Sequence, residues 1–163
     1  MRRTHWTIIL ICEGTAELQY ATTIRDCYLS RNCGTVLQPQ NAHGGGGKKS
    51  LWMARSLQSQ TAHDAYGILI DTDEHWADED RVEAKRAGIV VIENTPCLEA
   101  ILLRIGGNRI SPKTKENKEA FEKEYGGPAH TPNLIKKYFP KSKFEAARSA
   151  GSALDEFLRL IRC

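Results

Sequence analysis

Ile8-Ile9-Leu10-Ile11-Cys12-Glu13-Gly14 and, later, Gly67-Ile68-Leu69-Ile70-Asp71-Thr72-Asp73 decide how this chain is read. Each stretch is an apolar run of strand length, suited to a strand buried on both faces. Each ends abruptly in carboxylates, which a buried strand does not need unless something at its exit attracts negative charge. Two such exits side by side in a parallel sheet bring Glu13, Asp71 and Asp73 into one crevice, the usual ligand position in open α/β folds. Hard divalent cations such as Mg²⁺ are held by oxygen clusters of this kind.

The 163 residues, 40% hydrophobic and 26% charged, suit one globular domain with a real core. The formal net charge of +3 implies no partner by itself, but its distribution is uneven. Asp71, Asp73, Glu74, Asp78, Glu79, Asp80 and Glu83 stand against Arg81 alone, whereas residues 109–148 are rich in Lys and Arg. An acidic pocket beside a basic tail suits a protein that holds a metal and receives a polyanion; two solvated surfaces would give the same pattern. Cys12, Cys27, Cys33, Cys97 and Cys163 form no Cys-x-x-Cys pair, which fits reduced thiols better than a disulfide scaffold or zinc site. The basic start Met1-Arg2-Arg3 leads into an apolar run too short and too acid-terminated for a signal peptide or membrane span. The expectation is a soluble, cytoplasmic protein with no membrane partner.

Strands at about 6–12, 34–39, 66–71 and 89–92 alternate with helices at about 15–30, 51–60, 77–87 and from Pro96 to Gly106. That alternation argues a parallel sheet with right-handed crossovers. Ser50 reads as the N-cap of the second helix and Gly88 as the C′ residue of the third. Beyond 108 the pattern turns helical, with segments at about 113–125, 132–139 and a last amphipathic helix at about 142–162. One domain is expected, with a core at about 6–107 and a helical C-terminal extension over 108–163.

Glu13 and Glu17 are four residues apart and share a face in a helical turn, an unfavourable pairing unless a cation lies between them. Glu17 also reads as a solvated first-turn acid favoured by the helix dipole. Asp71 and Asp73 point the same way in extended backbone, about 7 Å apart; the other reading is turn and cap chemistry, although Asp78 and Asp80 are better placed to cap the following helix. Glu99 is either a further metal ligand or a cap on its own helix. Cys97 has no evident base partner and reads as packing. Gly44-Gly45-Gly46-Gly47-Lys48-Lys49-Ser50 lacks the Gly-Lys-Ser/Thr triplet of a P-loop, but a glycine-rich loop bearing two lysines grips a phosphate at a helix start, or else is a mobile connector. Lys136, Lys137, Lys141 and Lys143 surround Tyr138 and Phe139, a mixture suited to nucleic-acid contact and equally to an amphipathic core helix with a charged rim.

A strand ending in Glu13-Gly14, followed by a strand ending in Asp71-x-Asp73, resembles the pattern of Toprim domains, found in topoisomerases, primases, OLD-type nucleases and small RNA-maturation nucleases. A third segment, Asn94-Thr95-Pro96-Cys97-Leu98-Glu99-Ala100-Ile101-Leu102-Leu103, is similar to a stretch of RloB-like proteins, bacterial proteins with a Toprim-like core often associated with restriction and phage-defence loci. The resemblance spans roughly residues 7–105 in order: Glu-Gly-x-x-Glu, the glycine-rich loop, Asp-x-Asp-Glu and Pro-Cys-x-Glu. The chain departs from the pattern at Thr95, Leu98 and Ala100, and Arg104 and Ile105 stand where a histidine often follows.

The resemblance implies a three-layer, Toprim-like α/β fold with a mainly parallel four-stranded sheet, and metal-dependent phosphodiester chemistry. Carried over residue by residue, Glu13 is the general acid–base or a metal ligand, Asp71 and Asp73 hold Mg²⁺ (or Mn²⁺), and Glu17 is a second-metal ligand by analogy with OLD nucleases. Lys48, Lys49, Lys136, Lys137 and Lys141 are the expected nucleic-acid contacts. The expected partners are DNA or RNA and an ATPase encoded nearby. No tyrosine nucleophile is evident, so hydrolysis is more natural than strand passage. The alternatives are a non-catalytic partner that keeps the metal-site geometry inside a defence complex, and a nucleotide-binding phosphotransferase.

Overall fold

Apolar runs with no polar side need cover on both faces, and the chain supplies it. In a computed structural model, which describes residues 5–30, 33–73 and 75–162, strands β1 (Trp6–Cys12), β2 (Thr35–Asn41), β3 (Ala65–Asp71) and β4 (Val90–Asn94) form one all-parallel, four-stranded sheet of order β2-β1-β3-β4. Helices α1 (Thr15–Tyr28), α2 (Gly46–Gln60), α3 (Asp78–Arg86) and α4 (Leu98–Ile105) alternate with the strands; α5 (Thr114–Tyr125), α6 (Leu134–Tyr138), α7 (Lys141–Ala147) and α8 (Ala153–Leu160) follow. Helices flank both faces, an arrangement consistent with a Toprim-like three-layer fold. Among the described residues no helix is long and apolar enough to cross a membrane. Glu74, Cys163 and the basic Arg2-Arg3 start lie outside the described residues.

Successive strand side chains face opposite ways, and the two cores follow that parity. Ile8, Leu10 and Cys12 of β1 and Leu69 of β3 join one core with Tyr20, Ile24, Leu98 and Leu102. Ile9, Ile11, Ile68 and Ile70 join the other, with Leu51, Ala54 and Ala84 from α2 and α3. Phe121, Phe139, Phe144 and Phe157 of the C-terminal helices belong to the first core, so the extension is packed onto the α1–α4 face.

Four boundaries differ from the sequence reading, each for a local reason. β2 runs through Pro39 to Asn41, with Pro39 opposite Leu10; it is an edge strand, where a missing N–H is tolerated. β4 continues past Ile92 to Asn94, paired with Asp71. α2 starts at Gly46 rather than after Ser50, because Gly45 caps it at φ 97°, a left-handed conformation natural to glycine. Ser50 is therefore buried inside the helix, its hydroxyl donating to the Gly46 carbonyl at 3.4 Å. The single helix expected over 142–162 is two, α7 and α8. The break carries Gly151 at φ 75° and a true N-cap, Ser152, whose side chain accepts the Asp155 N–H at 3.1 Å. At the start of α3, Asp80 accepts the Ala77 N–H at 2.9 Å, the cap role read from sequence.

Glycine within the first turn of α2 is a poor helix former, and packing explains it. A Cβ on Gly47 would lie 2.5 Å from Trp76 Cε3 and 3.0 Å from Ile70 Cδ1. Trp76 is tethered by its indole N–H to Glu93 and cannot give way freely. Gly47→Ala, stabilising by about 1 kcal/mol in an open helix, is expected here to destabilise by about 1–3 kcal/mol. Urea unfolding monitored by tryptophan fluorescence checks the sign; equal or greater stability of the variant refutes this account of the packing.

Candidate functional site

The chain leaves β1 toward β2 on one side and reaches β3 on the other, so the carboxyl ends of β1 and β3 flank the topological switch point. Glu13 and Asp71 sit at those ends. The sheet's own bonding holds them: the Glu13 N–H donates to the Leu69 carbonyl at 3.0 Å, and the Gly44 N–H donates to the Glu13 carbonyl at 2.8 Å. The side chains then interlock. Glu13 Oε2 accepts the Asp71 backbone N–H at 3.0 Å. Asp71 Oδ1 accepts the Leu98 N–H at 2.9 Å and the Asn94 Nδ2 amide at 3.3 Å. Asp71 thereby joins β3 to β4 and to the start of α4.

Glu17 is buried rather than solvated, at 6% exposure. Its Oε2 accepts the Gly14 N–H at 3.0 Å, which satisfies an orphan donor of the α1 N-terminus and fixes the carboxylate over the crevice. Burial pushes Glu17 up to about 7, with the charges of Glu13 and Glu99 adding to the effect. Burial also raises Asp71 well above the ordinary carboxylate range, reinforced by Glu17, Glu99, Glu13 and Asp73. Asp71 thus feels the charge of four other carboxyl groups at this edge. Among the described residues Glu17, Asp71, Asp73 and Glu99 form no salt bridge.

Asp73 is the outlier. β3 ends at Asp71 and the chain bends over 72–73, so the extended-backbone spacing expected for the pair does not apply. Asp71 is buried and Asp73 exposed at the rim. Glu99, whose position in the sequence suits a metal ligand and a helix cap alike, is buried in the first turn of α4. Lys118 of α5 joins these acids from outside the sequence motifs. Burial lowers its pKa, but the carboxylates of Glu99 and Asp71 outweigh that and the net shift is upward. No sequence signal marks Lys118, because its approach depends on how α5 packs on α4.

Comparison with protein-family models, with curated proteins and with solved structures gives no match.

The basic residues divide into two groups. Lys48 and Lys49 are exposed in the first turn of α2, which follows Gly44, whose N–H is bonded to the Glu13 carbonyl. Lys136 and Lys141 lie elsewhere: Lys136 Nζ pairs with Asp26 at 3.2 Å, and Lys141 Nζ sits over the Tyr28 ring at 4.7 Å. Asp26 and Tyr28 end α1, about 14 Å along the helix from Glu17, at the opposite edge of the sheet. Lys137 shares α6 with Lys136, its Nζ 4.8 Å from the Tyr138 ring centroid. Phe139 is fully buried and Tyr138 packs on Tyr125, so these aromatics serve the core. The two lysine groups are not brought together.

Buried thiols complete the surroundings. Burial pushes Cys97 up to about 12, with Glu99 and Asp71 adding to it, so it is no thiolate at neutral pH. Cys12 is likewise raised by burial and by Glu17.

As for a metal, among the described residues no group of three or more His, Cys, Asp or Glu side chains is arranged to hold an ion by itself. The donor chemistry nevertheless fits Mg²⁺ or Mn²⁺: every candidate ligand is a hard carboxylate oxygen. Mg²⁺ keeps several waters and takes one or two carboxylates plus substrate phosphate rather than an all-protein cage, which the Glu13–Asp71 pairing and its buried neighbours can supply.

Proposed function

We propose that this chain is a divalent-metal-dependent nuclease that hydrolyses phosphodiester bonds at the β1/β3 crevice. The carrying observation is the concentration of Glu13, Glu17, Asp71 and Glu99 at the switch point, with two of the carboxyl groups raised by burial and mutual repulsion. Such a cluster is unfavourable in the protein alone and relieved by a cation. The likeness to Toprim and RloB-like motifs points the same way, and implies a role in restriction or phage defence with DNA or RNA as substrate.

In this reading Glu13, Glu17, Asp71 and Asp73 are the residues that would hold one or two Mg²⁺ or Mn²⁺ ions, with Glu99 beside them. The metal, when bound, supplies charge neutralisation and activation of water. Glu13, steered by the Asp71 N–H, moves the proton. The Leu98 N–H and Asn94 amide orient Asp71. Lys118 offers a cation to the scissile phosphate, while Lys48 and Lys49 draw the backbone in from the other side.

The test is cleavage of single- and double-stranded DNA and of RNA, with Mg²⁺ or Mn²⁺, by the chain alone and with any ATPase encoded beside it. Metal-dependent products ending in free hydroxyl and phosphate are expected. A covalent protein–nucleic acid adduct refutes hydrolysis by water. No cleavage under any of these conditions gives first place to a non-catalytic partner that retains the carboxylate geometry.

A further inference from the structure

Trp52 is 68% exposed, while Trp6 and Trp76 are both partly buried. Among the described residues its indole makes no ring–ring or cation–π contact. It stands on the outer face of α2 and forms one wall of a groove of about 640 Å³ between α2 and α3. Lys48, Trp52 and Ser56 follow one another at four-residue spacing and so share a helix face. Ser59 extends that wall, and Asp80 and Glu83 line the α3 side.

We propose that Trp52 is a stacking platform for an unpaired nucleobase of the substrate strand. This rests on the nuclease reading and narrows its substrate to nucleic acid that is single-stranded, or opened, beside the site. The groove has the parts such a base needs. The indole face stacks on any base. Leu51 closes the floor as a buried apolar contact. Ser hydroxyls and the α3 carboxylates accept hydrogen bonds from exocyclic amino groups, as Asp and Glu do from cytosine N4. Arg55 pairs with Glu83 across the groove, which limits the negative charge facing the strand. The phosphates belong at the other end, where Lys48 and Lys49 are exposed.

Position supports the same occupant. α2 begins just after Gly44, whose N–H is bonded to the Glu13 carbonyl, and Trp52 lies about 9 Å along the helix from Gly46. A strand threaded over the carboxylates meets the two lysines and then the indole. A duplex cannot use this wall, because its bases are stacked on one another. A second copy of the chain fits poorly, since interface centres are depleted of charge and the groove beside this indole is lined by Lys48, Arg55, Asp80 and Glu83.

The experiment compares wild type, Trp52→Ala and Trp52→Phe for binding to a fluorescently labelled single strand and to a duplex, with Ca²⁺ replacing Mg²⁺ so that binding is read without turnover. Circular dichroism and thermal unfolding verify that both variants are folded. Trp52→Ala is expected to weaken single-strand binding by about fivefold to a hundredfold, Trp52→Phe to retain most of it, and duplex binding to move little. The proposal is overturned if Trp52→Ala binds the single strand like wild type. It is equally overturned if single strand and duplex lose affinity alike, or if the variant instead abolishes self-association seen by sedimentation. If wild type cleaves or binds nucleic acid and Trp52→Ala matches it, only the stacking surface falls. If wild type does neither with any nucleic acid, both proposals fall.

Discussion

Glu13→Gln is expected to lower turnover by about 10²- to 10⁴-fold, the range attributable to a lost general acid–base, while substrate binding stays essentially unchanged. The local geometry makes this substitution interpretable. Glutamine keeps an Oε acceptor for the Asp71 N–H, the 3.0 Å bond that aligns β1 with β3. The lysines that draw in the phosphate backbone are on α2 and are untouched. What disappears is the negative charge and the titratable proton. A fall in kcat with Kd for an uncleaved oligonucleotide preserved is the signature of an interaction used in the transition state. Parallel loss of both would mean that Glu13 serves binding alone, and full activity would remove it from the chemistry. Because a mutated ligand also weakens metal binding, the measurement is made across a Mg²⁺ titration: activity restored by excess metal assigns Glu13 to coordination rather than proton transfer.

The metal-free protein is expected to be less stable at pH 8 than at pH 5.5. Glu17 titrates at about 7 in the folded chain against 4.5 for a free glutamate. The folded state therefore holds the proton more tightly than the unfolded state. Stability falls as pH rises through the window from about 4.5 to about 7, and the loss is complete above it. Between pH 5.5 and pH 8 Glu17 alone accounts for about 2 kcal/mol of this loss. Asp71, also raised, acts in the same direction. Acids lowered by their partners, such as Asp155 held by the Gly151 N–H and Arg148, lose stability only toward more acid pH, so they do not mask the trend above pH 5. Urea unfolding at the two pH values reads the difference. Glu17→Gln, which keeps an acceptor for the Gly14 N–H, should flatten the profile and be the more stable protein at pH 8. Millimolar Mg²⁺ should restore wild type at pH 8 and do little at pH 5.5, since a cation binding the native carboxylates adds stability by mass action. Equal stability at both pH values, or a rise toward pH 8, removes the repulsive cluster and with it the main argument for a metal.

The sequence by itself determined the α/β alternation and the strands that carry Glu13 and Asp71. An apolar run with no polar side has few folded solutions, and a buried parallel strand is the one that its length and flanking turns allow. The acids at its exit were legible for the same reason, because burial makes any charge there conspicuous. Tertiary structure decided what depends on packing between distant segments. The sheet order set β1 beside β3 and made their ends the switch point. The Leu98 N–H on Asp71 brought α4, and with it Glu99, to the carboxylates. The left-handed Gly45 cap started α2 inside a glycine run that propensity alone assigns to a loop, and Trp76 packed against Gly47 there. The docking of α6 and α7 on the far end of α1 sent Lys136 and Lys141 away from the crevice, whereas packing of α5 on α4 brought Lys118 toward it. Local pattern reports which face of an element is apolar; which other element covers that face, and which charges arrive with it, is fixed only when the layers close.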